Sequence, residues 1–271
     1  MKFTVKHMGI ILLIVIVVVM FNPVGLPISV SRETKDFYNR IMSLKPGDTV
    51  LWGFENAVIG SYTEKKTAMR AVAQTIAKQK ANIVWVSFYP HTPTQLLEFV
   101  EYSGLTKPPF NYKYGENLVV MPFLAGEETA MAAIAASLKG TYATDAKGTP
   151  VGNIPLLKKI DKITDFNLVL IEFGIFTFSD MFMRQWPAKY NIQVISMSTY
   201  SVVASYYGSY VVGDLDLVRG NAEFEKLTGI LGEEIVYMDI RNINCGITLA
   251  LVAIGNIALY WSRVKKGFSG G

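Results

Sequence analysis

Glu172 stands in the run Val169-Leu170-Ile171-Glu172-Phe173, a carboxylate with apolar neighbours on both sides. An ionised carboxylate taken out of water needs a partner or a pocket, and acids held in such places are candidates for function. Other polar side chains follow apolar runs in the same way. Glu55 and Asn56 follow residues 49–54, and Tyr89 and His91 follow residues 82–88. Glu127 and Glu128 follow residues 117–123, and Ser198 and Thr199 follow residues 192–197. If those runs are parallel strands, the side chains gather beyond the strand C-terminal ends, where open α/β sheets bind ligands. The crevice candidates are therefore Glu55, Asn56, His91, Glu127, Glu172, Ser198 and Thr199. They could line a ligand site, or Glu172, Glu55 and His91 could carry acid–base chemistry. Each also has an ordinary structural duty. Glu127 and Glu128 suit the positive end of a helix, His91 sits in a loop before a helix cap, and Ser198 and Thr199 can cap the helix that follows.

Standard catalytic and nucleotide motifs are missing. Gly53 and Gly60 do not make G-x-G-x-x-G, and there is neither a G-x-x-x-x-G-K-[ST] loop nor a G-x-S-x-G elbow. His91 is the one histidine between the terminal apolar runs, and the single cysteine, Cys245, lies inside the second run. A zinc site is thus not expected, and a Ser-His-carboxylate triad could use only His91. No cofactor and no metal are implied. A disulfide framework within one chain is excluded.

The elements that must position these residues alternate strand and helix. Ser61-Tyr62-Thr63-Glu64 and Thr92-Pro93-Thr94-Gln95 read as capping boxes. The first opens a helix with Met69, Val72, Ala73 and Ile76 on one face. The second opens one that buries Leu96, Leu97, Phe99 and Val100 and stops at Gly104. Continuous apolar strands separated by helices predict an α/β, Rossmann-like fold, a mostly parallel sheet of about five strands with helices on both faces. The uncharged stretch 192–213 reads as a strand at 192–197 and a helix at 200–212. That helix carries a stripe of Tyr200, Val203, Tyr207, Tyr210 and Val211. Residues 31–47, amphipathic over 34–44, read as a connector, and 141–155 as an interaction or structural loop.

Two further runs are apolar enough for lipid. Residues 8–31 carry no charge, with a dense aliphatic block at 10–21, and residues 242–262 are uncharged and end on Tyr260 and Trp261. Ser29-Val30-Ser31 imitates a signal-peptide cleavage site poorly. The expected organisation is an N-terminal transmembrane anchor (1–31), an extracytoplasmic α/β domain (32–241), a C-terminal transmembrane helix (242–262) and a short cytoplasmic tail (263–271). Lys2, Lys6, Arg263, Lys265 and Lys266 flank the spans and place both termini in the cytoplasm, with the protein in the cytoplasmic (inner) membrane. Setting those five aside leaves 21 basic residues against 22 acidic ones, so the net charge of +4 belongs to the membrane flanks and nucleic acid is not an expected partner. On the second span Asn242, Gly246, Ala250, Ala253 and Asn256 fall on one side, a face for another helix. Membrane lipid and a protein partner, or a second copy through that helix, are the expected partners.

Lys113-Tyr114-Gly115, Tyr142-Ala143-Thr144-Asp145 with Gly148-Thr149-Pro150, Asp165-Phe166-Asn167-Leu168-Val169 and Arg219-Gly220-Asn221-Ala222-Glu223-Phe224-Glu225 resemble stretches of an uncharacterised family of prokaryotic membrane proteins. The resemblance implies a Rossmann-like domain held by terminal helices and carries no activity. The leading expectation is a membrane-anchored, non-catalytic interaction module in an envelope complex. A ligand-binding sensor or transport accessory using the crevice, and a hydrolase or transferase, are the alternatives.

Overall fold

The computed structural model describes residues 5–22, 24–55, 59–173, 176–198, 206–216, 219–230, 232 and 234–268. The chain forms two compact units. Ser29–Gly232 is one, and Met1–Ile28 with Glu233–Gly271 is the other.

In the larger unit, six apolar segments pair as parallel strands: β1 (Thr49–Phe54), β2 (Asn82–Ser87), β3 (Leu118–Phe123), β4 (Leu168–Phe173), β5 (Val194–Ser198) and β6 (Val211–Asp216). Their order is β3-β2-β1-β4-β5-β6. The chain works outward from β1 to β3, then returns to the other side of β1 and works outward again. That reversal makes the β1/β4 boundary a topological switch point. Helices cover both faces, because successive strand side chains point to opposite sides and both sets are apolar. On one face Trp52, Trp85, Leu170 and Ile195 pack with α2 (Arg32–Met42), α3 (Ile59–Lys78), α4 (Thr92–Ser103) and α8 (Arg219–Thr228), through Phe37, Met69, Phe99 and Phe224. On the other, Leu51, Val84 and Val169 pack with α5 (Glu127–Ala136), the one-turn α6 (Leu138–Thr141) and α7 (Phe176–Met183), through Met131, Leu138, Phe182 and the neighbouring Trp186. A Cβ on Gly53 would stand 2.8 Å from the Trp186 ring, so glycine is what lets that indole lie on β1.

The fold class agrees with the sequence reading, with four corrections. The sheet has six strands, not about five. Residues 211–216, partly assigned to a helix from the sequence, are β6, and 206–210 form a turn that carries Tyr207 and Tyr210; Tyr200 and Val203 lie outside the described residues. Gly213 and Asp214 disguise this strand, yet each has a reason to be in it. A Cβ on Gly213 would lie 2.4 Å from the backbone nitrogen of Phe37, and the Asp214 carboxylate is met by two serine hydroxyls. Residues 31–47 are not merely a connector, because α2 packs on β6 and buries Phe37 and Ile41 completely. The expected boxes also shift. α3 begins at Ile59, before Ser61, and the N-cap of α4 is His91, with Thr92 buried inside the helix. Gly104 ends α4 at φ +74°, as expected. The 141–155 stretch is structural: Ala146 N–H donates to the Val120 carbonyl and Leu156 N–H to that of Gly115, which covers the β3 edge.

In the smaller unit α1 (Val5–Phe21) packs against α9 (Glu234–Phe268). Asp239 fixes the backbone that leaves α1, its carboxylate accepting from Gly25 N–H at 2.6 Å and Leu26 N–H at 2.9 Å. Within α9, Glu234–Trp261 spans 28 residues of mean hydropathy 1.8, long and apolar enough to cross a membrane. The N-terminal apolar stretch, Lys6–Phe21, is shorter. The 8–31 run does not continue as helix, because α1 stops at Phe21, before Asn22 and Pro23. At 1.5 Å per residue α1 measures about 25 Å, against a hydrocarbon layer of about 30 Å. Gly246, Ala250, Ala253 and Asn256 are all exposed on α9, while Ile243, Asn244, Ile247 and Leu251 are partly covered.

Candidate functional site

The switch point is built from four strand ends. Parallel register sets Phe54 of β1 beside Ser87 of β2 and beside Glu172 of β4, and Glu172 beside Met197 of β5. Glu172 thus occupies the last turnings of the sheet on the face that α3 covers. It is 0% exposed. Lys65, from the second turn of α3 and 8% exposed, donates to Glu172 Oε1 as a buried ion pair. Glu172 Oε2 is buried with no hydrogen-bond donor among the described residues. The Glu55 N–H donates to the Glu172 carbonyl at 3.0 Å, extending the β1–β4 ladder by one bond and fixing Glu55, 1% exposed, at the rim. Burial pushes the Glu172 carboxyl up to about 7, with Lys65 opposing that rise and Glu55 adding to it.

Tyr89, just beyond β2, joins the same rim. Its phenol is hydrogen-bonded to Glu55, and its pKa is raised by burial and by the charges of Glu55 and Glu127. The ring lies 5.3 Å from Phe178 of α7 and 6.0 Å from His91, centroid to centroid. Among the candidates read from the sequence, Glu55 and Glu172 are therefore in one place, with His91 and Glu127 linked to them through Tyr89. Asn56 and Thr199 lie outside the described residues. Glu127 opens α5 at φ +43° after Gly126 at φ +118°. Its neighbour Glu128 is structural: Arg184 meets both carboxylate oxygens at 3.0 Å, Gln185 adds a third bond, and its pKa falls to about 2.

Ser198 belongs to a separate group. Its hydroxyl and that of Ser196 donate to Asp214 Oδ1 at 3.0 and 2.5 Å. Asp214 is 4% exposed, and burial raises its pKa to about 7 against the two hydroxyls that lower it. A cleft of about 290 Å³, lined by Arg40, Asn167 and Gln193 among others, lies by the N-terminal ends of β4 and β5, away from the candidates. Among the described residues no three His, Cys, Asp or Glu side chains are grouped to hold a metal ion.

Lys65 and Asp214 were missed by sequence reasoning, and each left a signal. Lys65 falls on the stripe Lys65, Met69, Val72, Ile76, so a lysine occupies a core position of α3 and requires a buried anion. Asp214 follows the β-branched pair Val211-Val212 and Gly213 and precedes Leu215, while Ser196 and Ser198 alternate in β5, the pattern of side chains on one sheet face.

The geometry bears on ligand chemistry. In nucleotide-binding sheets the pyrophosphate sits at the first βα turn, on glycine backbone and a helix N-terminus. Here that turn begins instead with buried Glu55, beside the buried Lys65–Glu172 ion pair. Comparison of the chain with protein-family models, with curated proteins and with solved structures finds no match.

Proposed function

We propose that the protein is a membrane-anchored small-molecule-binding module, with its ligand held at the β1/β4 switch point. The observation that supports this most is Glu172: a fully buried carboxylate at the place where such sheets bind ligands, paired on one oxygen by Lys65, the other oxygen lacking a donor among the described residues. Native proteins rarely leave such an atom unsatisfied. The anchors in this reading are α9 and, with it, α1, as two spans around an extracytoplasmic domain with both termini in the cytoplasm. The resemblance to the prokaryotic membrane family belongs to the same proposal. Native mass spectrometry on the full chain, extracted in mild detergent from its own membranes, tests it. A small molecule should leave with the wild-type protein and be missing from folded Glu172→Gln. An identical mass for the unloaded and purified wild type would sink the ligand reading.

A second reading, an interaction module within an envelope complex, is favoured by α9. Its small-residue side is exposed along Gly246, Ala250 and Ala253, and Gly246 has no neighbour within 4 Å of a Cβ. Small residues let a second helix approach closely. Gly246→Leu with Ala250→Leu should reduce assembly size in mild detergent, while Leu249→Ala should leave it unchanged. Equal assembly size for all three proteins removes this reading.

A further inference from the structure

We propose that the cleft at the N-terminal ends of β4 and β5 binds a small organic anion, a carboxylate on a compact apolar body, with Arg40 as its counter-ion. The switch point lies at the C-terminal ends of the strands, so this inference does not rest on the reading above.

β4 and β5 are parallel neighbours, so the segments that lead into them arrive side by side. Asn167 precedes β4, Gln193 precedes β5, and the last turn of α2 brings Arg40 to the same place. The space they line measures about 290 Å³, near the lower end of small-molecule sites at about 300 Å³. Buried Ile163 and half-buried Phe166 and Ile192 also line it and give an organic body an apolar wall.

The polar side chains of the cleft offer mainly donors. Arg40 donates to Gln193 Oε1, and the Thr49 N–H donates to Asn167 Oδ1 at 2.9 Å. Both amide oxygens are thus committed within the protein, which leaves their NH2 groups and the remaining guanidinium N–H groups for a ligand. Among the described residues no acidic side chain lines the cleft, and Arg40 has no carboxylate partner. The acids nearest to it along the chain are engaged elsewhere. Asp36 meets Arg32 at 3.5 Å and the Tyr207 hydroxyl at 2.7 Å, and Asp165 accepts from the N–H groups of Asp161 and Lys162 at 2.9 and 2.8 Å. A cationic ligand finds no counter-charge here. A carboxylate meets a planar fork whose geometry matches its two oxygens. The ordinary duty of Arg40 is to face the negative end of α2, and the test separates the two roles.

Ligand-observed NMR on the full chain in uncharged detergent micelles, with protein-free micelles as the blank, reads the binding. The probes are benzoate and isovalerate, their neutral counterparts benzyl alcohol and isoamyl alcohol, and inorganic phosphate. At least one acid should bind about tenfold more tightly than its alcohol and than phosphate. That binding should weaken between about 0.1 and 1 M salt, as the screening length falls from about 10 to 3 Å. Arg40→Gln should weaken it about tenfold or more, and so should Gln193→Glu, which keeps Arg40 but gives it a carboxylate within the chain. Arg40 and Gln193 are exposed, so both variants keep the core intact. Arg40→Lys keeps a cation at the end of α2 and loses the fork, so an unchanged Tm with weakened binding marks recognition rather than service to the helix. Lys78→Gln removes an exposed charge of α3 outside the cleft and should bind as the wild type does. Equal binding of acid and alcohol overturns the anion class, and phosphate binding as tightly as the acids overturns the organic body. Acid binding that survives both Arg40→Gln and Gln193→Glu overturns the location. If neither acid binds, the inference fails, and the native mass measurement on Glu172→Gln still decides the switch-point reading separately.

Discussion

Two buried carboxylates set the behaviour of this chain at the scale of single residues. Glu172 and Asp214 both titrate near 7 in the folded chain, because burial penalises their charge more than Lys65 or the serine hydroxyls restore it. Unfolded, each would titrate near 4. Between about pH 4.5 and 7 the folded state therefore holds protons that the unfolded chain has lost, and stability falls as pH rises through that window. Glu128, Asp161 and Glu223 are shifted down by their partners, so their contributions are present above the ordinary carboxylate range and are lost below it. The expected profile has its maximum near pH 5. Thermal melting should give a Tm several degrees higher at pH 5.5 than at 7.5, and Asp214→Asn should reduce that difference. A Tm that climbs from pH 5.5 to 7.5 would show that neither acid is held protonated. The sequence exposed one of these groups, since Glu172 interrupts an apolar run. Asp214 left only a weaker signal, because its position between Gly213 and Leu215 resembles the end of an element rather than a strand interior.

Element packing turns on how closely α2 lies on β6. Phe37 and Ile41 are fully buried there, and the Gly213 Cα meets the Asp36–Phe37 backbone with no room for a methyl group. Backbone cannot swing aside as a long side chain can. Gly213→Ala should therefore cost at the upper end of overpacking, about 3 kcal/mol, which for a chain of this size lowers Tm by roughly 6–12 °C. Gly152, whose Cβ would stand in open space at an ordinary φ, is the control, and Gly152→Ala should change Tm by about 1–2 °C at most. Similar losses in the two variants would contradict the close approach. α2 is also tied at its start: Ser31 caps it, and the Ser31 N–H and hydroxyl donate to Glu223 of α8 at 2.9 and 2.6 Å. Arg219 of the same helix reaches the Ser29 carbonyl. The beginning and the end of the α/β unit are thereby clasped together. Amphipathicity over 34–44 was readable in the sequence, but its partner was not, because the strand it covers lies about 170 residues further along the chain.

At the scale of the whole molecule, the proposal of two membrane helices makes a topological claim. Single cysteines placed near Gly148 should label from outside intact cells, and those near Gly270 should not, given the basic residues at Lys2, Lys6, Arg263, Lys265 and Lys266. Labelling in the reverse pattern would invert the assignment. Composition and periodicity alone determined the α/β class, the parallel pairing, the end of α4 at Gly104, the start of α5 at Glu127 and the position of Glu172 at a strand terminus. Those follow from local properties: apolar runs of strand length, helical stripes and glycine stops. Strand order, the sixth strand and the meeting of Lys65 with Glu172 came only with the tertiary structure. Lys65 and Glu172 are 107 residues apart, and nothing local to either names the other. What joins them is the reversal of the chain at β1/β4, which sets α3 over the end of β4. A lysine on a core stripe and a carboxylate in an apolar strand are each unstable by themselves. Burying both at one site resolves the two anomalies together, and only long-range packing decides that they share it.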